Sequence, residues 1–269
     1  MGGIRNLLKF LALSMLPEGI LQDLKKHYYL HVLKSLPIDH EPDMKLLEHL
    51  IKPGDSVIDI GANIGIYTIR MSPLVGRDGC VHSIEPVPLT FDILCSNVRK
   101  LGLTNVELIQ CAISDTNSSV MVEVPLYKSG GENFYRARVI QHTDNSFQRL
   151  VMVDSRTIDS TFDKLRRKIS FIKCDVEGHE LQCLKGAARV VRDNMPAWLI
   201  EISGDPDAPR DKAHEAFKLL TEAGYHAYWF DGVRLQQRRP HERRTNYFFL
   251  ATKHLSTLEG RVLVSANNL

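Results

Sequence analysis

The sequence predicts an α/β fold with a doubly wound, mostly parallel sheet, and two observations support that prediction. Residues 56–68 begin as a β-branched apolar run, pass through a turn of small residues and resume with helix-like apolar spacing. Strands and helices then alternate along the chain, which is typical of parallel sheets. With 269 residues, of which 43% are hydrophobic and 25% charged, the chain is long enough for one such domain.

We expect three parts along the chain: an N-terminal helical extension over residues 1–40, the main domain over 41–255 and a C-terminal tail over 256–269. Leu21, Leu24 and Tyr28 follow a helical spacing within the extension. Residues 4–16 place basic side chains before an apolar stretch that is too short for a membrane span. An amphipathic helix packed on the domain is expected there, with a membrane-surface helix or a substrate lid as alternatives.

Apolar runs and turn residues define the elements of the main domain in order. After the strand, loop and helix of residues 56–68, we expect strands at 79–85, 106–113, 169–174, 197–202, 228–231 and 245–253, and helices at 89–101, 179–192 and 211–223. Residues 120–127 and 149–153 break this rhythm, because their apolar and polar residues alternate like half-buried antiparallel strands. They predict an inserted β-hairpin around a Gly130-Gly131 turn.

The charge and the cysteine content limit the class of protein. The formal net charge of +2 gives no strong attraction to nucleic acid. The densest basic run, residues 238–244, is expected to form a solvated hairpin loop, with a phosphate-binding loop as the alternative. Five cysteines without a CxxC pair are typical of reduced core thiols, so we expect a cytoplasmic protein.

The loop after the first strand indicates a nucleoside-containing ligand. Its pattern is Asp59-x-Gly61-x-Asn63-x-Gly65, and Glu85 follows Gly61 by 24 positions, at the end of the next strand. A carboxylate there can accept hydrogen bonds from both hydroxyls of a ribose. A dinucleotide fingerprint requires glycine in places where this chain has other residues, and that mismatch disfavours a nicotinamide cofactor.

A second group of ionisable residues follows the strand at 169–174. Asp175, Glu177, His179 and Glu180 lie where that strand passes into a helix, at the edge of the sheet where such folds bind ligands. Helix capping is the alternative interpretation, because acidic residues in a first turn interact favourably with the helix dipole.

Residues 57–68 resemble motif I of class I S-adenosylmethionine-dependent methyltransferases and, more narrowly, of the FkbM-like family. Further segments agree in order: Ser83-Ile-Glu-Pro-Val-Pro88, Asn97-Val98, Ala112-Ile-Ser-Asp115, Thr157-Ile-Asp159 with Ile158 in place of leucine, Ile172-Lys-Cys-Asp-Val-Glu-Gly-His-Glu180 and Leu184-Lys-Gly186. The resemblance spans residues 42–250 and implies a Rossmann-like seven-stranded sheet whose last strand is antiparallel.

The resemblance also implies roles for residues of the first loop and of the next two strands. S-adenosyl-L-methionine would be the cofactor, with its methionine end wrapped by the loop, its ribose held by an acid and its adenine bordered by small residues. The loop residues that would wrap the methionine end are Gly61, Ala62, Asn63 and Gly65. Glu85 would hold the ribose, and Pro86 and Ala112 would border the adenine. Nearby carboxylates, Asp59 among them, would favour the sulfonium charge.

The implied reaction is O-methylation of a hydroxyl on a sugar or a secondary metabolite. Asp175 or His179 would accept the proton, and Glu177 belongs to the same catalytic group. We predict no metal, with a magnesium ion shared by Asp175 and Glu201 as the alternative. Methylation of RNA or protein and a non-catalytic cofactor-binding module are the other candidate functions. Nucleic acid is disfavoured as a partner, because Asp175-Val-Glu-Gly178 lacks the Pro-Pro-aromatic signature of base methylation.

Overall fold

A computed structural model describes residues 17–37, 40–125, 136–140, 148–260 and 262–265. The expected helix at 4–16 and the Gly130-Gly131 turn lie outside these ranges. Nine helices are described, in chain order: α1 (Glu18–Ser35), α2 (Asp43–Leu50), α3 (Ile66–Val75), α4 (Pro88–Lys100), α5 (Ile158–Thr161), α6 (Glu180–Lys185), α7 (Ala188–Asn194), α8 (Lys212–Glu222) and α9 (Thr252–Leu258).

Thirteen strands are described within the same ranges and form two sheets. They are β1 (Ser56–Ile60), β2 (Cys80–Ile84), β3 (Val106–Ile109), β4 (Ala112–Ile113), β5 (Ser118–Pro125), β6 (Arg138–Ile140), β7 (Gln148–Arg156), β8 (Ile169–Cys174), β9 (Ala197–Glu201), β10 (His226–Phe230), β11 (Arg234–Gln237), β12 (Asn246–Leu250) and β13 (Leu263–Ser265). The main sheet has the order β13-β11-β10-β12-β9-β8-β1-β2-β3, and the smaller sheet the order β4-β7-β5-β6.

The main sheet confirms the predicted Rossmann-like α/β fold. Strands β3, β2, β1, β8 and β9 run parallel, and β12 is antiparallel to both of its neighbours, β9 and β10. These strands and β10 are the seven that the resemblance implied, but the sheet has nine because β11 and β13 extend its edge. Both added strands are short, and within β11 only Leu235 is fully buried. Edge strands of this kind leave little periodic apolar signal in a sequence.

The predicted hairpin is the centre of a larger unit. β5 pairs antiparallel with β7, as expected for the two arms of a hairpin, and β6 pairs with the other edge of β5. The predicted strand at 106–113 divides, because residues 112–113 leave the main sheet and pair in parallel with β7. The insertion is therefore a four-stranded sheet connected to the main sheet at the end of β3.

Helices cover both faces of the main sheet, as the doubly wound prediction requires. Trp198 and Phe249 belong to a core covered by α6, α7 and α8, whereas their neighbours Leu199 and Phe248 belong to a core covered by α2, α3 and α9. This alternation follows from the two-residue period of a strand. α1 packs beside α4, where Leu33 contacts a smaller apolar cluster. None of the described helices is long and apolar enough to cross a membrane.

The predicted helix at 179–192 is interrupted at Gly186, and a close backbone contact explains the glycine. A Cβ atom at Gly186 would lie 2.1 Å from the carbonyl oxygen of Ser114, and the Gly186 carbonyl accepts a hydrogen bond from the Asp159 N–H at 3.0 Å. The motif residue thus holds three segments of the chain together.

We expect Gly186→Ala to lower the free energy of unfolding by about 1–3 kcal/mol, because the backbone contact leaves no room for a methyl group. Gly19→Ala is the matched control, since Gly19 lies in a helix and a methyl group there would have no neighbouring atom within 4 Å. That control should stabilise the protein by up to about 1 kcal/mol. Urea unfolding measures both, and equal stabilities of the Gly186→Ala variant and the parent would contradict the packing argument.

Candidate active site

A cavity lies at the carboxyl ends of the central strands. The chain adds strands on one side of β1 through β2 and β3, and on the other side through β8 and β9. The strand order therefore reverses between β1 and β8, which is where open α/β sheets bind their ligands. The cavity has a volume of about 320 Å³, within the range of small-molecule sites. Its walls come from the ends of β1, β2 and β8, from α3 and from β6.

Backbone contacts fix the loop that follows β1. The N–H groups of Gly61 and Ala62 both donate to the Ile84 carbonyl at 3.0 Å. Gly61 has a φ of +74°, and a Cβ atom there would lie 1.9 Å from the carbonyl oxygen of Asp175. The glycine is thus required by the contact between this loop and the end of β8, in addition to any ligand that approaches it. Asn63 adopts a left-handed backbone with a φ of 52°.

Glu85 is the acid that the sequence places beside a ribose. It is 5% exposed, and its carboxylate accepts backbone N–H bonds from Asn63 and Val87, each at 3.0 Å. Burial raises the pKa of Glu85 to about 7, although the two backbone hydrogen bonds act in the opposite direction. Each carboxylate oxygen still has a lone pair for a further donor.

Asp59 is held by hydroxyl groups beneath the loop. Its Oδ2 accepts a hydrogen bond from the Thr68 hydroxyl at 2.6 Å, and the Thr68 hydroxyl lies 2.7 Å from that of Ser83. Burial raises the pKa of Asp59, whereas the charge of Lys173 lowers it. Thr68 therefore orients an acid of the site.

Lys173 lines the cavity, although no motif of the sequence singles it out. Its side chain is 4% exposed, and its Nζ donates to Asp175 Oδ2 at 2.7 Å and lies 4.8 Å from the centre of the Tyr67 ring. Burial by itself lowers the pKa of Lys173, but the carboxylates of Asp175 and Asp59 outweigh burial and raise it. The signal was a lysine within an apolar strand, because a buried lysine requires a partner.

His179 lies at the cavity wall just before α6. Its Nε2 is 2.9 Å from the Ser114 hydroxyl, and burial lowers the pKa of His179, so the imidazole is neutral near pH 7. Glu177 also lines the cavity, with a left-handed backbone. Glu180 instead accepts, at 2.8 Å, the N–H of Gly178, a residue that precedes α6. The N-cap residue His179 makes no side-chain cap hydrogen bond, so the capping interpretation retains only the acidic residue in the first turn.

Most of the predicted cofactor residues meet at this cavity. Those lining it are Asp59, Gly61, Ala62, Asn63, Glu85, Pro86 and Ala112. Gly65 is not among the lining residues. It begins α3 with a φ of +100°, and a Cβ there would lie 2.9 Å from Leu94. The left-handed backbone, which glycine adopts without strain, together with the nearby Leu94 side chain explains that glycine.

A second acidic wall lies around Tyr67. The Tyr67 hydroxyl donates to the Glu41 carboxylate, and the Asn246 amide donates to Asp43 at 2.8 Å. Burial raises the pKa of Asp43 to about 6. Burial and the nearby charge of Asp175 raise the pKa of Glu201 to about 7. The cavity therefore has a strongly acidic surrounding in which Lys173 is a buried cation.

The basic run at 238–244 is engaged by the protein itself. Arg238 pairs with Asp207, and Arg243 pairs with Asp205. The guanidinium of Arg244 lies 3.9 Å from the centre of the Trp229 ring. These contacts favour the structural loop over the phosphate-binding alternative.

Comparisons with known proteins find methyltransferases, and one family model matches more than half of the chain. The methyltransferase FkbM domain matches residues 59–227. A protein-L-isoaspartate O-methyltransferase of Methanococcus aeolicus is 28% identical over 40% of this chain and 54% of its own, so the chain spans about half of that relative. Hexuronic acid methyltransferase AglP of Haloferax volcanii is 27% identical over 67% of each chain. The crystal structure of methyltransferase FkbM from Methylobacillus flagellatus aligns with a TM-score of 0.45 at 18% identity, over 92% of this chain and 59% of that one.

We expect Lys173→Met to lower the free energy of unfolding, because it leaves Asp175 and Asp59 without their cation. The expected loss is about 2–3 kcal/mol, below the range for a fully buried pair because Asp175 is 31% exposed. Lys185→Met is the matched control, since Lys185 pairs with Glu215 at the surface and its loss should change stability by less than about 1 kcal/mol. Equal effects of the two substitutions in denaturant unfolding would contradict the role of Lys173.

Proposed function

Because the chain belongs to the methyltransferase FkbM domain family and is therefore an S-adenosyl-L-methionine-dependent methyltransferase, we propose that it methylates a hydroxyl group of a sugar or another small metabolite. The observation that carries this proposal is the Asp175 carboxylate on the cavity wall, held by the buried Lys173. A hydroxyl needs a hydrogen-bond acceptor beside it when its oxygen attacks, and this carboxylate supplies one.

The residues around the cavity fit the cofactor. Glu85 has lone pairs available for two ribose hydroxyls, while Pro86 and Ala112 offer small apolar surfaces to an adenine ring. Asp59 and Asp175 give the site the negative charge that stabilises a sulfonium cation. When bound, the cofactor supplies an electrophilic methyl group on positively charged sulfur.

In this proposal the main task of the protein's side chains is to align the acceptor hydroxyl, because transfer of a methyl group from a sulfonium to oxygen requires an in-line approach. Lys173 restricts the Asp175 carboxylate to one orientation through their 2.7 Å contact. The other oxygen of Asp175 is then available to the acceptor hydroxyl. Lys173 is thus a positioning residue in this proposal, and Asp175 accepts the proton.

His179 is the alternative proton acceptor. Its neutral imidazole has the right protonation state, but its Nε2 already contacts the Ser114 hydroxyl at 2.9 Å. That contact occupies one ring nitrogen and favours an orienting role for His179. Glu177 at the cavity wall adds negative charge near the acceptor side.

The acceptor class rests on the relatives and on the basic residue at the cavity wall. AglP acts on hexuronic acid according to its name, and two thirds of each chain align. Arg138 lines the cavity in this chain, and its Nε donates to Glu123 at 2.8 Å. This guanidinium supplies donors suited to hydroxyl or carboxylate groups of a sugar.

We expect Asp175→Asn to reduce kcat by about 10²- to 10⁴-fold while cofactor affinity changes little, because the amide keeps the shape but is a far weaker proton acceptor. Transfer of labelled methyl groups into a metabolite extract, followed by identification of the labelled species, measures the turnover. His179→Ala should have the smaller effect. Asp193→Asn is the matched control, because Asp193 pairs with Arg192 at the surface.

Two results would overturn parts of this proposal. If Asp175→Asn and His179→Ala both turn over at the parental rate with unchanged cofactor affinity, neither residue accepts the proton. If the label enters RNA or protein and no small molecule, the acceptor class is wrong while the methyltransferase activity stands.

We expect the affinity for S-adenosyl-L-homocysteine, the demethylated product, to fall as the pH falls below about 7. The pKa of Glu85 is about 7 in the free protein, and ribose hydroxyls donate to the ionised carboxylate. Each pH unit below that value should therefore weaken binding by up to tenfold. Calorimetry between pH 5.5 and 8.5, as an approximate range that spans this pKa, tests it.

Glu85→Gln should bind more weakly and lose the pH dependence, since its amide does not ionise in this range. Glu201→Gln is the comparison variant, because burial and the charge of Asp175 also raise the pKa of Glu201 to about 7. If the pH dependence persists in Glu85→Gln and disappears in Glu201→Gln, the titrating group is Glu201 and the prediction for Glu85 is wrong.

A further inference from the structure

A second cluster of chemically reactive side chains lies at the opposite end of β2. Cys80 and His82 are two residues apart and share one face of the strand, and Glu107 of β3 is the register partner of His82. Glu85 follows the other end of β2, about 16 Å from Cys80 by the rise of an extended strand. The cluster is therefore separate from the methyltransferase cavity, and nothing in the proposed reaction uses it.

Three different ligand atoms converge in this cluster. His82 Nδ1 lies 2.7 Å from Glu107 Oε2 and 3.9 Å from Cys80 Sγ, and all three atoms lie within 4.8 Å of one another. Ligand atoms of a tetrahedral zinc site are about 3.3–3.7 Å apart, given metal–ligand distances of about 2.0–2.3 Å. The Glu107 side chain is 59% exposed, so its carboxylate is free to move by the small distance that brings the three ligand atoms to this spacing.

The imidazole of His82 is held in place from its other side. Its Nε2 lies 2.8 Å from the Ser56 hydroxyl, and the Phe162 ring packs edge-on with its centre 5.0 Å away. Without an ion, Nδ1–H donates to Glu107 and Nε2 accepts from the Ser56 hydroxyl. With an ion bound at Nδ1, the proton would lie on Nε2, and the Ser56 hydroxyl would accept it. A hydrogen bond from the second ring nitrogen is the usual support of a metal-bound histidine, and the Ser56 hydroxyl lies where it would accept one.

We propose that Cys80, His82 and Glu107 bind a zinc ion that joins the edge strand β3 to β2. The donor set of thiolate sulfur, imidazole nitrogen and carboxylate oxygen suits zinc, whereas magnesium and calcium select oxygen ligands. Three protein ligands leave a fourth position for water on the exposed side of Glu107. The ion fastens β3, which is the outermost described strand at that edge of the main sheet.

The test is zinc binding to the full chain after treatment with a chelator. We expect one zinc per chain by metal analysis after dialysis, and a thiolate-to-metal absorption band when cobalt replaces zinc. Cys80→Ser and Glu107→Gln should each weaken zinc binding by about 10- to 100-fold or more, and Cys80→Ser should also remove the absorption band. Cys95→Ser is the matched control, because Cys95 is a partly exposed thiol on α4 outside the cluster.

Thermal unfolding gives a readout that is independent of methyl transfer. Zinc should raise the Tm of the parent and of Cys95→Ser, because it binds only the folded arrangement, and should leave the Tm of Cys80→Ser unchanged. Glu107→Gln, at an exposed position, keeps the test valid if Cys80→Ser folds poorly. If the parent binds no stoichiometric zinc, or if both cluster variants bind zinc as tightly as the parent, the cluster is a hydrogen-bonded histidine and the proposal is wrong.

Discussion

The buried ammonium of Lys173 is the interaction on which the rest of the site depends. Removing an ammonium from water costs several kcal/mol, and the cost is offset only where carboxylates face it closely. Asp175 supplies the contact at 2.7 Å, and the charge of Asp59 also acts on Lys173. Because Asp59 lies in β1 and Asp175 follows β8, this one cation joins the two strands between which the sheet reverses. The same ion-pair contacts therefore determine both the charge of the cavity and the position of the two strand ends that form it.

The same junction explains why the loop after β1 has so little freedom. Gly61 lies against the Asp175 carbonyl, and the N–H of Asn63 binds the Glu85 carboxylate. The ends of β1, β2 and β8 are thus connected through these backbone contacts and through the buried acids Asp59 and Glu85. Burial raises the pKa of Glu85 from the ordinary value of a glutamate to about 7. Between these two pKa values, the free energy of unfolding of the free protein falls as the pH rises, because the folded state holds the proton that the unfolded state has lost. A ligand that donates to the ionised Glu85 carboxylate would recover part of that loss.

Features with a strong local signal could be predicted from the sequence. The apolar runs of the central strands, the small residues after β1 and the position of Glu85 all follow from periodicity and spacing. The main sheet has nine strands and not seven because β11 and β13 add two short strands at its edge, and β11 is mostly polar. The hairpin is part of a four-stranded sheet because residues 112–113 leave the main sheet to pair with β7, and β6 pairs with β5. Contacts between distant segments could not be read from a pattern. His179 meets Ser114 across 65 positions, and the importance of Lys173 becomes clear only when Asp59 and Asp175 lie beside it.

The central claim is that the junction of β1, β2 and β8 binds the adenosyl group and presents its sulfur to Asp175. The most direct measurement is a crystal structure of the complex with S-adenosyl-L-homocysteine. The account predicts both ribose hydroxyls within about 3 Å of the Glu85 carboxylate oxygens, with the sulfur on the Asp175 side of the cavity. A ligand bound elsewhere, or a Glu85 carboxylate turned away from the ribose, would contradict it.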